Sequence, residues 1–276
     1  MNSPAAGNAS LRPEQGWHCA HLFYQFDRGA LGRMGAAQIA QGRLEFSAVL
    51  AAGADGGPAR LQTSIVSGQK ADFGLLMLDP DPLVIDSVHQ RLRASHLGAA
   101  ILPAYSFISL TEVSEYVPTV EQYGQRLVAE GVGEGSEAYR AKLKAYENRF
   151  EAMTRERLTP DLPSWPATCF YPMNKKREAD ANWFLLPLEQ RSRLMTEHGR
   201  TGMAFGGKVS QLITVGVGLD DWEWGVTLWA RTPEFLKDIV YTMRFDEASA
   251  RYAEFGPFYT SYVAAAEDIL NHCRIG

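Results

Sequence analysis

Tyr171 stands at the head of YPMNKKR, residues 171–177, directly behind the strand-like run WPATCFY. A phenol followed by Lys175, Lys176 and Arg177 has two readings. It is a strand running out into a solvated basic turn, or a phenol that acts on an anionic ligand held by the cations. Gln211 raises a similar question. In GKVSQLITVGV it shares a strand face with Val209, Ile213 and Val215, all apolar. An amide there either finds partners in the core or faces a cavity, because unsatisfied burial costs roughly 1–3 kcal/mol.

His198 differs in context from the other five histidines. On a helix, Arg191, Leu194, Met195 and His198 share one side, since positions three, four and seven apart overlap. The imidazole then points inward beside Gly199, where a flat ligand has room. It reads either as a core histidine bonded to a backbone carbonyl or as a metal ligand. His18 and His21 are three apart on a strand and point to opposite faces, a poor metal pair. No second histidine or carboxylate stands at ligand spacing to His198, which speaks against a closed zinc site; a single axial imidazole is what a haem iron takes. Trp183, Trp222 and Trp224 supply large flat surfaces, for the core or for a pocket wall. Arg157, Lys175, Arg244 and Ser249 come from different elements and could converge on carboxylates only if the second sheet closes around a pocket. These residues alone reach an α+β protein with an anionic aromatic ligand.

The elements that must position them parse as a repeated plan. In the second half, 167–173 is a strand, 187–200 a helix opened by Pro187, and 207–217 and 222–230 are alternating strands around the turn GVGLDD. A helix over 232–245, capped by Thr232 with Pro233 at its first position, leads to an aromatic strand over 252–263. The order β-α-β-β-α-β is the ferredoxin-like plan. The first half repeats it with strand 17–26, helix 34–52, strands 60–67 and 71–78, helix 82–95 and strand 101–116. The expectation is α+β: two ferredoxin-like βαββαβ units, their sheets packed together or joined into a barrel of the dimeric α+β type. The boundaries read as a disordered N-terminus, 1–15, an N-terminal unit over 16–118, a connector over 119–165 with an amphipathic helix at 137–157, and a C-terminal unit over 166–276.

Composition bounds the function. The chain has 276 residues, 46% hydrophobic and 21% charged, with a net charge of −5 and no long basic block, so a clustered cationic face for nucleic acid is not expected. Cys19, Cys169 and Cys273 are widely spaced without a CxxC, which fits a reducing compartment rather than a disulfide framework. The N-terminus lacks an apolar core of signal-peptide length and no run is long enough to span a bilayer, so a cytoplasmic protein is expected.

The segments CFYPMNKKR, NWFLLP, LMTEHGRTGMAFGGKVSQ, GLDDWEWGVTL and YTMRFDEASARYAEFGPFY closely resemble the coproheme decarboxylase branch of the chlorite dismutase-like haem proteins. The likeness is dense over roughly 155–265; TEVSEY at 111–116 and the first half match more loosely. The resemblance implies two ferredoxin-like halves, a ring of five chains, and porphyrin binding in the C-terminal half alone. It implies His198 as proximal iron ligand, Tyr171 as the radical-forming tyrosine and Lys175 as its partner near the reacting propionates. Arg157, Arg244 and Ser249 match propionate-holding positions with Met173 beside them, Gln211 matches the distal residue, and Trp183 a pocket tryptophan. The substrate implied is iron coproporphyrin III (coproheme), converted by hydrogen peroxide to haem b, with transient contact to a coproporphyrin ferrochelatase as a further expectation.

Gln211 separates the branches. Chlorite dismutases resemble this sequence but carry an arginine at the distal position, where a charge holds the chlorine oxyanion; a neutral amide does so less well. Actinobacterial decarboxylases place a histidine base there, and glutamine does not take up a proton. A chlorite dismutase or general haem peroxidase is the alternative enzyme. A haem carrier or sensor that keeps the pocket without turnover is the alternative of another class. For the proximal histidine, Asp246 or Glu247 of RFDEAS is the candidate hydrogen-bond partner.

Overall fold

The computed structural model describes residues 10–276. Most of the stretch expected to be disordered, residues 1–9, lies outside the described residues, and the Leu11 carbonyl accepts a hydrogen bond from His18 Nε2 at 2.8 Å. The first half runs β1 (His18–Phe26), α1 (Arg28–Leu31), α2 (Ala36–Val49), β2 (Arg60–Val66), β3 (Phe73–Asp79), α3 (Pro82–Ala94) and β4 (Ile101–Thr111). Two helices follow, α4 (Val120–Ala129) and α5 (Glu137–Leu158). The second half runs β5 (Ala167–Lys175), the short pair β6 (Arg177–Glu178) and β7 (Ala181–Asn182), then α6 (Leu188–Met203), β8 (Val209–Val215) and β9 (Trp224–Ala230). It ends with α7 (Pro233–Met243), α8 (Glu247–Ala250), β10 (Ala253–Phe255), β11 (Tyr259–Val263) and α9 (Ala266–His272).

Apart from the separate β6–β7 pair, the strands form one antiparallel sheet in the order β10-β5-β11-β2-β3-β1-β4-β8-β9, and β5 also pairs with β9. That last pairing closes the sheet into a barrel and leaves only the short β10 outside the ring. The halves meet at two seams. Ser261↔Val66 to Val263↔Ser64 join β11 to β2, while Leu110↔Val215 and Thr111↔Thr214 join β4 to β8. Of the two arrangements expected, the barrel is the one formed, and closure removes the unpaired edges that open sheets must protect.

Alternation along each strand sorts side chains between the barrel interior and the helix-covered outside. Inside, His21, Phe23, Phe107, Phe170 and Trp229 are buried and drawn from both halves. His21 stacks on Phe170 with ring centroids 4.1 Å apart and shares a 2.6 Å hydrogen bond with the Thr227 hydroxyl. Burial holds its pKa down to about 3, so it is a neutral packing residue across the two halves. Outside, α2, α3 and α9 cover the first half around Phe46, Phe73, Met77 and Leu92. Helix α7 covers the second through Leu236 and Ile239, each contributing about 1.5–3 kcal/mol if burial is complete.

The short elements α1, α8, α9 and the β6–β7 pair were not expected, and three expected elements differ. The strand expected over 252–263 is two strands, because Pro257 has no N–H for a ladder and the Gly256 N–H turns to the Pro172 carbonyl at 2.8 Å. The strand expected over 101–116 stops at Thr111, where Thr111 Oγ1 bonds to the Leu158 carbonyl at the end of α5. The connector holds a second helix, α4, opened by a capping box between Thr119 and Gln122. Tyr123 and Tyr146 stack with centroids 4.0 Å apart to pin α4 on α5. Among the described residues no helix is long and apolar enough to cross a membrane.

Candidate active site

The outer face of β5, β9 and β8 carries Tyr171, Met173, Lys175 and Gln211 of the residues singled out above. Register fixes their rows. Tyr171 lies beside Val226 and Val226 beside Ile213; Cys169 lies beside Leu228 and Leu228 beside Gln211; Met173 lies beside Trp224 and Trp224 beside Val215. Tyr171, Met173 and Lys175 are spaced by two and so share this face with Gln211. Two strand spacings, about 10 Å, and two residues along the strand separate Gln211 from Tyr171, and α7 packs on Val226 and Leu228 between them. Gln211 is exposed although its face neighbours are apolar, so it fronts open space rather than a bonded core position.

Tyr171 is buried. Its ring stacks on Phe258 at 4.5 Å and meets the edge of Phe255 at 5.7 Å. Burial raises the phenol's pKa well above its usual value; neighbouring Cys169 adds to this and the Arg244 charge works against it. Tyr171 is therefore a neutral phenol at ordinary pH. Arg244, exposed at the end of α7, lies over the Phe255 ring at 5.2 Å.

Lys175 ends β5. Its ammonium lies 4.2 Å from the centre of the buried Trp183 ring and donates to the Ala248 carbonyl at 3.3 Å. Burial lowers its pKa to about 8, against an upward pull from Asp246. Trp183 packs in turn on Tyr252 and Tyr116, and with Leu194 of α6 forms the floor beneath Lys175.

His198, on α6, is 27% exposed, and its Nδ1–H donates to Asp246 Oδ2 at 2.9 Å. The Ser249 hydroxyl oxygen is 3.4 Å from the same nitrogen, and the Ser249 N–H donates to the other Asp246 oxygen at 2.8 Å. Burial alone would raise Asp246, but the hydrogen bond and charge of His198 with the Ser249 N–H outweigh it, and the net shift is downward. With Nδ1–H committed to a carboxylate, Nε2 carries the lone pair. Of the two candidates in RFDEAS it is Asp246 that reaches the imidazole; Glu247 faces Arg193 and Arg251 instead, at 3.7 and 3.8 Å.

The remaining expected residues stand apart to different degrees. Ser249 is part of the His198–Asp246 network. Arg157 is half-buried near the end of α5; it is the following residue, Leu158, whose carbonyl accepts from Thr111 at the β4–β8 seam. Met173 is partly buried against Phe255 and Trp224. In the basic run, Arg177 pairs with the buried Glu223, and Lys176 lies 3.8 Å from Glu178. Glu223 was not singled out from the sequence. Its signal was parity: an acidic residue on the interior-facing phase of WEWGVTLW, the phase of Thr227 and Trp229. Among the described residues no group of three or more histidines, cysteines or acidic residues could hold a metal ion.

The chlorite dismutase family model matches residues 40–264. The chain belongs to the chlorite dismutase family. Within it, the chain is 36% identical to a coproheme decarboxylase of Staphylococcus carnosus (strain TM300), over 94% of this chain and 96% of that one. A heme-binding protein from Thermus thermophilus has 31% identity and a TM-score of 0.76, covering 96% and 98% of the two chains. A chlorite dismutase from Candidatus Nitrospira defluvii shares the fold, with a TM-score of 0.70 at 16% identity over 94% of this chain and 96% of that one. The expected family and the two-unit α+β fold both stand.

Proposed function

We propose that this chain is an enzyme, a peroxide-dependent coproheme decarboxylase that converts two propionates of iron coproporphyrin III to vinyl groups and so makes haem b. The observation that carries it is one sheet face bearing a buried neutral phenol and a lysine whose ammonium donates to Ala248, in the short α8 turn whose Asp246 and Ser249 also hold the His198 imidazole. The 36%-identical decarboxylase supports the substrate class. Each step balances as propionate, hydrogen peroxide and one proton giving vinyl, carbon dioxide and two waters. Iron porphyrin, as substrate, supplies the site at which peroxide is reduced.

The chain's own residues divide the remaining work. His198 holds the iron through Nε2, with Asp246 fixing its tautomer and orientation. Tyr171 relays: its phenol gives up an electron and a proton, and the resulting radical takes hydrogen from the propionate β-carbon. Phe255 and Phe258 hold the ring in place and keep water from it. Lys175 orients the reacting carboxylate and can supply the proton that each turnover consumes. Its compact ammonium suits a moving proton better than a guanidinium fork, whereas Arg157 and Arg244 suit fixed carboxylate clamps. Trp183 and Met173 would wall the porphyrin, and Ser249, its hydroxyl 3.4 Å from His198 Nδ1, braces the imidazole. Gln211 fronts the distal side as a neutral hydrogen-bonding group, which favours decarboxylation over the chlorite reading.

Assembly as a ring of five, a cytoplasmic location and transient contact with a coproporphyrin ferrochelatase belong to the same proposal. The deciding experiment offers ferric coproporphyrin III, titrates peroxide and follows product masses. Two successive losses of a carboxyl unit support the reading. Intact coproheme points to a carrier, and oxygen released from chlorite points to the dismutase.

A further inference from the structure

The residues that follow Tyr171 are held by a carboxylate that lies outside the face just described. Glu223, between Trp222 and Trp224, is 6% exposed. Pairing of β5 with β9 ends at Met173↔Trp224, so beyond that point no β9 main chain meets residues 174 and 175. On the β9 side the Glu223 side chain takes over from the ladder, while on the other side β10 continues to pair Glu254 with Asn174 and Ala253 with Lys175. Its Oε2 accepts the Lys175 N–H at 2.8 Å, and its Oε1 accepts from the Arg177 guanidinium. Its own N–H donates to Asn174 Oδ1 at 2.8 Å, and its carbonyl accepts from the Gly216 N–H at 2.8 Å. Lys176 is held separately, its N–H donating to the Tyr252 carbonyl at 2.8 Å.

Two consequences follow for the cations. Lysine is a point charge on a flexible stem, so its ammonium stays over Trp183 only while residue 175 is fixed. A buried carboxylate demands a counter-charge, and Arg177 provides it. Arg177 is thereby committed to the protein. We propose that Glu223 is a positioning residue that sets Lys175 toward the ligand and withholds Arg177 from it, so that one cation of the basic run meets the reacting propionate. This rests on the decarboxylase reading for its purpose, not for its geometry.

The test is Glu223→Gln, which keeps the shape but removes the charge and turns one of the two acceptor oxygens into an amide donor. In the protein without porphyrin, the pH dependence of Lys175 acetylation by acetic anhydride is read by peptide mass spectrometry. Wild type is expected to have its midpoint near 8, because burial lowers the ammonium to about that value. In the variant the midpoint rises by about one unit as residue 175 loosens into water. With ferric coproporphyrin III, affinity by Soret titration changes no more than about threefold, while kcat falls about tenfold and singly decarboxylated porphyrin accumulates. An unchanged midpoint together with wild-type turnover overturns the proposal. If Glu223→Gln does not fold, Asn174→Ala removes only the bond to the Glu223 N–H; a smaller rise is expected, and no rise overturns the proposal. Should wild type fail to decarboxylate at all, the functional reading falls, and the acetylation midpoints still decide the role of Glu223.

Discussion

His198 Nδ1 and Asp246 Oδ2 stand 2.9 Å apart, and the other Asp246 oxygen is tied to the Ser249 N–H at 2.8 Å. A carboxylate in this place makes the imidazole a stronger donor through Nε2. Asp246→Asn is expected to lower the iron–histidine stretching frequency of the ferrous complex in resonance Raman spectra. Removal of such a partner costs roughly 10–100-fold in activity. The carboxyl sits below its ordinary pKa, so its contribution to stability is present above the ordinary carboxylate range and is lost as pH falls through the lowered value. Acid unfolding of the variant should therefore be less steep at that end.

Tyr171→Phe keeps the ring that stacks on Phe258 and removes only the hydroxyl. Thermal unfolding and ferric coproporphyrin binding should stay close to wild type. Decarboxylation should fall by roughly 100-fold or more, with kcat and kcat/KM reduced together. Full turnover by this variant would end the relay argument.

Lys175 titrates near 8, below its ordinary value, so the folded chain favours the neutral amine. The charged form costs the folded state stability, in full below pH 8 and not at all above the ordinary lysine range. An anionic ligand reverses that preference, and its binding takes up a proton in the window between. Coproporphyrin affinity should fall as pH rises above 8, by up to about tenfold per unit. In Lys175→Met the slope in that window should vanish, as read by Soret titration at several pH values.

The Gln211 side chain is exposed, while its main chain pairs with Leu228 in the sheet. Gln211→Ala should leave unfolding unchanged and weaken binding of cyanide to the ferric complex by roughly 3–10-fold, the worth of one hydrogen bond. Equal cyanide affinities would remove it from the distal side.

Gly256 lets β10 turn into β11 under the floor of the site. A Cβ there would come within 2.7 Å of Pro172 Cγ and 2.9 Å of Trp222 Cζ2. Gly256→Ala should destabilise the chain by about 1–3 kcal/mol, visible as a lower melting temperature.

Much of this was legible in the sequence because it rests on local rules. Period-two alternation places Tyr171, Met173 and Lys175 on one face, and helical spacing turns His198 inward. Pro233, Thr232 and Pro187 mark helix starts where the structure has them. Barrel closure was left open because it depends on the β5–β9, β11–β2 and β4–β8 pairings, which join residues far apart in the chain. The choice between Asp246 and Glu247 turns on a tertiary contact that adjacent acids cannot encode. Glu223 was missed because an acidic residue at a strand start reads as solvated until its partners, Arg177 and the Lys175 N–H, are placed. Helix α9 escaped notice because seven residues are too few to show a clear period.

The two seams bear on how such a molecule can be divided. Severing the chain within α4 and α5 and pulling the halves apart would leave β2, β4, β8 and β11 each with a naked flank of N–H and C=O groups. A freed second half would thus be adhesive along two borders at once. The cheapest repair is a twin of itself laid across both borders, so the protein resembles a symmetric pair fused end to end, one member keeping the imidazole and phenol and the other serving as its wall.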